Sequence, residues 1–305
     1  MNQVMKTSIV EKISLLKNKR KAIILAHNYQ LPEVQDIADF AGDSLELARI
    51  SHERECDIIL FCGVHFMAET AKIMNKDRMV LMPDLHAGCP MADMISADQL
   101  KKEKSLHPNA AVVTYINSTA DVKALSDICC TSANGIKVAN SVKNKEIIFA
   151  PDKYLGSYVE RHTRHKRFYL WSGYCPTHMV FMKEEILELK NKYPDAEIYV
   201  HPECRVEVQE IADKICSTSQ MITNAKKSDA KKIIICTEIG MLHRLKKENP
   251  EKDFIPGSPN AICPSMKLST LEKVLWALED LKYEVKVEES IRLGAFQAIE
   301  KMVAL

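Results

Sequence analysis

The sequence carries almost no net charge, because its 42 basic and 41 acidic side chains leave a formal charge of +1 at pH 7 over 305 residues. Because the basic and acidic side chains nearly cancel, the protein has no long-range attraction for nucleic acid or for an acidic membrane surface. We therefore expect neither as a partner. An anionic ligand would have to be recognised by a local site.

Long hydrophobic runs are also missing. The longest apolar stretches, such as 58–64, are far shorter than the roughly 20 residues that cross a bilayer. The N-terminal segment has lysines between its apolar positions and lacks the apolar core and cleavage site of a secretory signal. We expect a cytoplasmic protein without membrane association, in which the ten cysteines serve metals or chemistry more often than disulfides.

Three Cys-Pro pairs stand out among those cysteines. Cys89-Pro90, Cys175-Pro176 and Cys263-Pro264 begin 86 and 88 residues apart. Spacing this regular is typical of one position used three times in an internal repeat. If the three repeats close on themselves, their sulfurs meet near one axis, which predicts a single metal centre.

Three columns of other residues share this register, with steps of 88 and 86 residues. The columns are His27, Tyr115 and His201; Asp39, Asp127 and Asp213; and Ser44, Ser132 and Thr218. A register shared by independent landmarks indicates triplication. Units of roughly 85 to 90 residues have the size of small domains.

Short apolar or β-branched runs alternate with helical patterns, which predicts parallel sheets covered on both faces. The predicted strands are 22–26, 57–62, 79–82, 111–116, 146–150, 168–170, 197–200 and 232–236. We expect an α/β fold of three homologous αβα three-layer domains around a pseudo-threefold axis. The expected domains are 1–92, 93–179 and 180–265, with C-terminal helices in 266–305 packing back on the first.

Polar motifs come directly after a predicted strand in each unit, and ligands bind outside the carboxyl ends of parallel strands. The motifs are His27-Asn28-Tyr29, Tyr115-Ile116-Asn117-Ser118 and His201-Pro202-Glu203. A single His after a strand is more often structural than catalytic. The shared column is what favours one common active site.

Hydroxyl side chains stand at or before predicted helix starts: Ser44, Ser132 and the pair Ser217-Thr218. Such a hydroxyl is most often only a cap. Three inward-facing helix N-termini would nevertheless bind a carboxylate or phosphate through free N–H groups, without a cluster of Arg or Lys.

Two metal centres are compatible with the cysteines. Zinc is one, because Cys175-x2-His178 and His201-x2-Cys204 have zinc-site spacing, although neither is paired with a second knuckle. The other is a [4Fe-4S] cluster, whose irons normally take one Cys each. Three thiolates would leave one iron open, and an open iron is a Lewis acid suited to dehydration rather than electron transfer.

Eight motifs together identify a family. They are AHNYQ at Ala26, GDS at Gly42, YINS at Tyr115, TSAN at Thr131, CPTH at Cys175, HPEC at His201, TEIGM at Thr237 and CPSM at Cys263. In order and spacing, over nearly the whole chain, they resemble quinolinate synthase, the second enzyme of bacterial and archaeal NAD biosynthesis from aspartate.

The resemblance implies one oxygen-sensitive [4Fe-4S] cluster per chain, held by Cys89, Cys175 and Cys263. It implies condensation of iminoaspartate with dihydroxyacetone phosphate to quinolinate, with loss of phosphate and water and no net redox change. An aspartate-oxidising enzyme would be the functional partner. Our hypothesis is that the open iron assists the dehydrations.

We assign catalysis to Tyr29 as proton shuttle, with His201 and Glu203 as the acid/base pair. The expected substrate-binding residues are His27, Ser44, Tyr115, Ile116, Asn117, Ser132, His178, Pro202, Ser217 and Thr218.

One departure from some relatives concerns regulation. Those relatives have a C-x-x-C arrangement near the last ligand, where this chain has Cys263-Pro-Ser-Met266, so we expect no dithiol switch there. Cys204 is the most exposed alternative thiol expected in the site, although a role as a small packed residue fits equally well. Two other functions stay open: an aconitase-like hydro-lyase acting on another hydroxy acid, and a non-catalytic, zinc-stabilised binding protein.

Overall fold

The chain folds into three four-stranded parallel sheets with the same strand order. A computed structural model describes residues 3–305. The orders are β2-β1-β3-β4, β6-β5-β7-β8 and β10-β9-β11-β12, and all strand pairs within these sheets are parallel. The predicted α/β class is confirmed. The pseudo-threefold axis stays a prediction, which the identical strand orders support.

The helices and strands follow one another in the same sequence in each repeat. The first repeat contains α1 (Gln3–Lys19), β1 (Ala22–His27), α2 (Pro32–Ile37), β2 (Phe40–Gly42), α3 (Ser44–Glu53), β3 (Ile58–Cys62), α4 (His65–Met74) and β4 (Met79–Leu81). The second contains α5 (Ala97–Leu106), β5 (Ala111–Tyr115), α6 (Ala120–Ala124), β6 (Ile128–Cys130), α7 (Gly135–Ser141), β7 (Glu146–Ala150), α8 (Lys153–Arg161) and β8 (Arg167–Leu170).

The third repeat contains α9 (Lys183–Lys192), β9 (Glu197–Val200), α10 (Val206–Gln209), β10 (Lys214–Ile215), α11 (Thr218–Lys227), β11 (Lys232–Cys236), α12 (Met241–Glu248) and β12 (Asp253–Pro256). Two more helices follow, α13 (Leu271–Asp280) and α14 (Glu289–Ala304). A 3₁₀-helix follows each of the three cysteines, at Ala92–Met94, Pro176–Val180 and Ser265–Lys267.

The eight predicted strands are all present, within one or two residues at their ends. The sequence patterns did not predict β2, β6, β10 or β12. The first three have only two or three residues each, which is too short for a hydrophobic pattern to show. β12 is a partly exposed edge strand that ends at Pro256, and proline weakens a strand prediction.

The aspartate column has the same role in all three repeats. The Oδ2 atoms of Asp39, Asp127 and Asp213 accept from backbone N–H groups at the start of β1, β5 and β9, at 2.8, 2.7 and 2.8 Å. In each case the aspartate N–H also bonds back to the same strand residue. Each aspartate thus fixes the second strand of its sheet beside the first.

The two C-terminal helices pack in different places, so the expectation that they pack on the first repeat is correct for α13 and wrong for α14. α13 lies against α1 and β3 of the first repeat. α14 lies mainly against α6 and β6 of the second repeat, with further contacts to α4, and its Ala295, Ala298 and Ile299 join the largest hydrophobic core. A Cβ at Gly294 would come within 2.9 Å of the Ala124 carbonyl oxygen, so glycine is needed there for this close approach. The domain limits given above stay a prediction.

Among the described residues, no helix is both long and apolar enough to cross a membrane.

We expect Asp213→Ala to lower the free energy of unfolding by about 1 to 2 kcal/mol, because the amide of Ile198 loses a charged acceptor. The measurement is urea unfolding followed by circular dichroism. Asp195→Ala, at an exposed position of the same repeat, is the control. Equal unfolding midpoints for the two variants would contradict this role.

Candidate functional site

A cavity lies where the three repeats meet. Its wall contains every member of the histidine/tyrosine column and of the hydroxyl column, and all three Cys-Pro cysteines. The predicted site residues that line it are His27, Tyr29, Ser44, Cys89, Tyr115, Asn117, Ser132, Cys175, His178, His201, Glu203, Thr218 and Cys263. The strand ends of all three sheets therefore face a single space.

Three predicted site residues are not part of this wall. Ile116 is buried and lines a small separate cavity beside Ser44. The carbonyl of Pro202 accepts from Gln209 at 2.8 Å. Ser217 caps α11 and donates to Asp43 Oδ2 at 3.3 Å.

The helix caps differ from the expected ones in two repeats. Asp43, not Ser44, caps α3: its carboxylate accepts from the amides of Leu45 and Glu46 in a capping box. The N-cap position of α7 is Asn134, two residues after Ser132. Ser132 therefore does not cap this helix. Only Ser217 caps as expected. The sequence GDSLE contained the correct signal, an Asp followed three residues later by Glu.

The Asp43 cap also lines the cavity, which sequence reasoning missed. Burial raises the pKa of the Asp43 carboxyl, against hydrogen bonds that favour its charged form. With a carboxyl group at its N-terminus, α3 offers a weaker anion site than three free helix ends would.

Glu203 is the centre of the polar network in the cavity. Its Oε1 accepts from the Tyr115 hydroxyl at 2.6 Å, and its Oε2 lies 2.8 Å from His178 Nδ1 and 3.7 Å from His201 Nδ1. Burial opposes the charge, but His178 and the Tyr115 hydroxyl outweigh it and lower the pKa of Glu203 below its usual range. A buried carboxylate is thus held ionised by partners from two repeats.

Tyr29 connects to this network through Thr237. The Tyr29 hydroxyl lies 2.5 Å from Thr237 Oγ1, which lies 2.9 Å from His178 Nε2. Burial raises the pKa of Tyr29 well above its usual value, and the charge of Glu203 adds to the shift. Tyr29 therefore keeps its proton at neutral pH. Thr237 was missed as a site residue, although it follows β11 directly, in the position that polar site residues take in these sheets.

Contacts between distant parts of the chain support the wall of the cavity. Asn28 Nδ2 donates to Thr218 Oγ1 at 2.8 Å, and Arg244 donates to Asn28 Oδ1 at 2.7 Å. Lys267 pairs with the buried Glu238 at 2.8 Å and donates to the Tyr29 carbonyl. The local sequence does not indicate these contacts. Most of the paired residues lie about 190 or more positions apart, and Lys267 and Glu238 belong to separate motifs.

The three cavity cysteines fit a thiolate-bound metal centre. Burial raises the pKa of all three thiols, that of Cys89 to about 12, while the backbone N–H three residues further on acts in the opposite direction. Thiols that burial keeps protonated become ligands when a metal centre replaces the proton. Cys175, His178 and Glu203 also form a candidate metal-binding group, with ligand atoms within 4.8 Å of one another.

Cys204 does not belong to this group. It is fully buried, its Sγ points to the Cys236 carbonyl at 3.5 Å, and it packs in the core of the third repeat. The expectation of an exposed thiol is therefore wrong, and the role of a small packed residue is correct. Because Cys204 does not line the cavity, the His201-x2-Cys204 spacing forms no zinc knuckle there.

Comparison with known proteins gives consistent matches along the chain. The family model described as Quinolinate synthetase A protein matches residues 11–304. A quinolinate synthase of Dehalococcoides mccartyi (strain CBDB1) is 54% identical over 295 residues, covering 97% of both chains. Those of Thermodesulfovibrio yellowstonii and Methanosarcina barkeri are 52% and 51% identical, each over 97% of this chain and 98% and 97% of theirs.

From the burial of His27 we predict that the stability of the fold depends on pH. Burial lowers the pKa of His27 from 6.5 to about 3. Between these values the unfolded chain binds a proton that the folded chain does not, so stability falls as the pH drops from 6.5 towards 3. From pH 6.5 to pH 5 we expect His27→Gln to lose about 2 kcal/mol less stability than the wild type.

Urea unfolding at the two pH values measures this difference. His52→Gln, at an exposed position, serves as the control and should keep the wild-type dependence. An unchanged pH dependence in His27→Gln would contradict the assignment of a buried neutral His27.

Proposed function

The chain belongs to the quinolinate synthetase A family, and on that basis we propose that it is a quinolinate synthase. The reaction condenses iminoaspartate with dihydroxyacetone phosphate to quinolinate and releases phosphate and water. The observation that carries the proposal is the cavity in which three cysteines, one from each Cys-Pro pair, face the same space as the Glu203 network.

We propose one [4Fe-4S] cluster per chain, held by Cys89, Cys175 and Cys263. The support is the equivalence of the three positions: each cysteine directly precedes a proline, a 3₁₀-helix begins within three residues of each cysteine, and each cysteine lines the cavity. When bound, a cluster with three protein ligands supplies a Lewis acid at its remaining iron.

Tyr29 and Glu203 would divide the proton transfers of the dehydrations. Removing water from a carbon skeleton requires a proton for the leaving hydroxyl and a base for the neighbouring C–H. Tyr29 is protonated at neutral pH, so it has a proton to donate. Glu203 is ionised, so it has a free carboxylate to accept one. His201, whose pKa burial lowers to about 3, is neutral beside them and able to pass a proton between its ring nitrogens.

The substrates carry carboxylates and a phosphate, and the cavity offers hydroxyl and amide groups to bind them. Ser44, Ser132 and Thr218 contribute one hydroxyl from each repeat, and Asn117, His27 and His178 add further polar groups. The Oδ1 atom of Asn117 is buried without a hydrogen-bond partner, as expected of a group that bonds a ligand. Tyr115 would bind substrate through its hydroxyl. Ile116, Pro202 and Ser217 lie behind the residues that line the cavity and would support them.

Iminoaspartate hydrolyses readily, so its supply would depend on an enzyme that oxidises aspartate nearby. We also propose a cytoplasmic location, which the ten free cysteines of the chain support.

Cys263→Ala should bind much less iron and sulfide than the wild type, because one of three cluster ligands is lost. After anaerobic purification, we expect about four iron and four sulfide per wild-type chain, measured by chemical analysis and absorption spectroscopy. Cys216→Ala, a buried cysteine away from the cavity, is the control. Stoichiometric zinc without sulfide in the wild type would contradict the proposed cofactor.

Tyr29→Phe and Glu203→Gln should each lower the turnover number by about 100- to 10,000-fold, because each removes a proton-transfer group. Quinolinate formation is assayed anaerobically with an aspartate oxidase supplying the imine. Tyr169→Phe is the control, since Tyr169 stacks on His107 outside the cavity. Near-native rates in both variants, with the iron content unchanged, would overturn the assignment. Hydration or dehydration of a hydroxy acid without quinolinate formation would favour the aconitase-like alternative.

A further inference from the structure

Three buried side chains occupy the same position in the three repeats, yet they are not the same residue. Gln35 on α2, Lys123 on α6 and Gln209 on α10 are separated by 88 and 86 residues, the steps of the other columns. All three are buried, and Lys123 has no exposed surface. None of them lines the cavity.

Each of these side chains binds backbone carbonyls in the loop after the first strand of its own sheet. Gln35 Nε2 donates to the carbonyls of residues 28 and 30 at 3.1 and 2.9 Å. Gln209 Nε2 donates to those of residues 202 and 204 at 2.8 and 2.7 Å. Lys123 Nζ donates to the Ser118 carbonyl at 2.5 Å, at the position equivalent to residues 30 and 204. These loops carry Tyr29, Asn117 and Glu203.

Each side chain also contacts the neighbouring repeat, always in the same direction around the molecule. Gln35 Nε2 donates to the Gly240 carbonyl of the third repeat at 2.9 Å. Lys123 Nζ lies 3.5 Å from the Phe66 carbonyl of the first, and Phe66 stands where Gly240 does in its own repeat. Gln209 Oε1 accepts from the Arg161 guanidinium of the second. The first repeat thus binds the third, the second binds the first, and the third binds the second.

The repeats approach closely at these contacts. A Cβ at Gly240 would lie 2.8 Å from the Tyr29 carbonyl oxygen, so backbone meets backbone there. At the Lys123 contact, Glu69 of α4 accepts from the Ala120 amide at 3.1 Å, and the ammonium lies 5.4 Å from the Phe66 ring centre. Each loop is therefore tied to its own repeat and to the neighbouring one by a single buried side chain.

We propose that Gln35, Lys123 and Gln209 act as interrepeat clamps, positioning residues that fix the site loops relative to the neighbouring repeat. Because Tyr115 donates to Glu203 across repeats, the reacting groups are in register only when the loops of two repeats are held together. The link to catalysis rests on the proposed function, whereas the link to loop order does not.

Lys123 gives the sharpest test. A methionine there removes the donor and the cost of a buried ammonium while keeping the length of the side chain. Glutamine is the residue that the other two repeats use at this position, which makes Lys123→Gln the conservative variant. Lys143→Met changes an exposed lysine of the same repeat and is the matched control.

The experiment compares the full-length wild type with these three variants, each loaded with iron and sulfide. Hydrogen exchange is measured by mass spectrometry on peptides covering 115–118, together with urea unfolding and the anaerobic quinolinate assay. We expect Lys123→Met to exchange faster in 115–118 and to turn over about 10- to 100-fold more slowly, while its urea unfolding shows that the variant is folded. Lys123→Gln should restore both properties to near wild type, and Lys143→Met should change neither.

Wild-type exchange and turnover in Lys123→Met would overturn the inference, and so would equal defects in the methionine and glutamine variants. Should Lys123→Met fail to fold, Gln35→Met provides the same comparison in the first repeat, with exchange read in 28–30; unchanged exchange there would also overturn it. Because exchange is measured without substrate, it decides the clamp even if the wild type forms no quinolinate, a result that would refute only the proposed function.

Discussion

The carboxylate of Glu203 is the buried charge on which the arrangement of the cavity depends. A charge removed from water is tolerated only with close polar partners, and those partners come from different parts of the chain: the Tyr115 hydroxyl from the second repeat and His178 from the segment after Cys175. The same charge acts on His27, Tyr29 and Cys175. Satisfying one carboxylate therefore brings the repeats together.

Features that recur in register were predictable from the sequence. The Cys-Pro spacing and the histidine/tyrosine column place their residues around one cavity, because equivalent positions in equivalent sheets face the same way. Eight of the twelve strands were predictable because runs of consecutive apolar or β-branched residues leave a readable pattern, even in the three-residue β4. β6 and β10 are too short to leave one.

Features that depend on contacts across the chain were not predictable. Thr237 joins Tyr29 to His178, but nothing in its neighbourhood names either partner. The burial of Cys204 has the same cause, since its Sγ packs under β11 rather than towards the cavity. Asp43 is different. Its capping signal was present in the sequence, but the Ser44 column favoured Ser44, the next residue of the motif, as the cap.

The clamps bind backbone carbonyls, which every amino acid possesses. A loop held in this way keeps its path whatever side chains it carries, so mutation can change those side chains without dissolving the frame. The three equivalent loops accordingly carry different residues: His-Asn-Tyr-Gln, Tyr-Ile-Asn-Ser and His-Pro-Glu-Cys. A symmetric scaffold could in this way acquire an asymmetric set of reactive groups, as an asymmetric product requires.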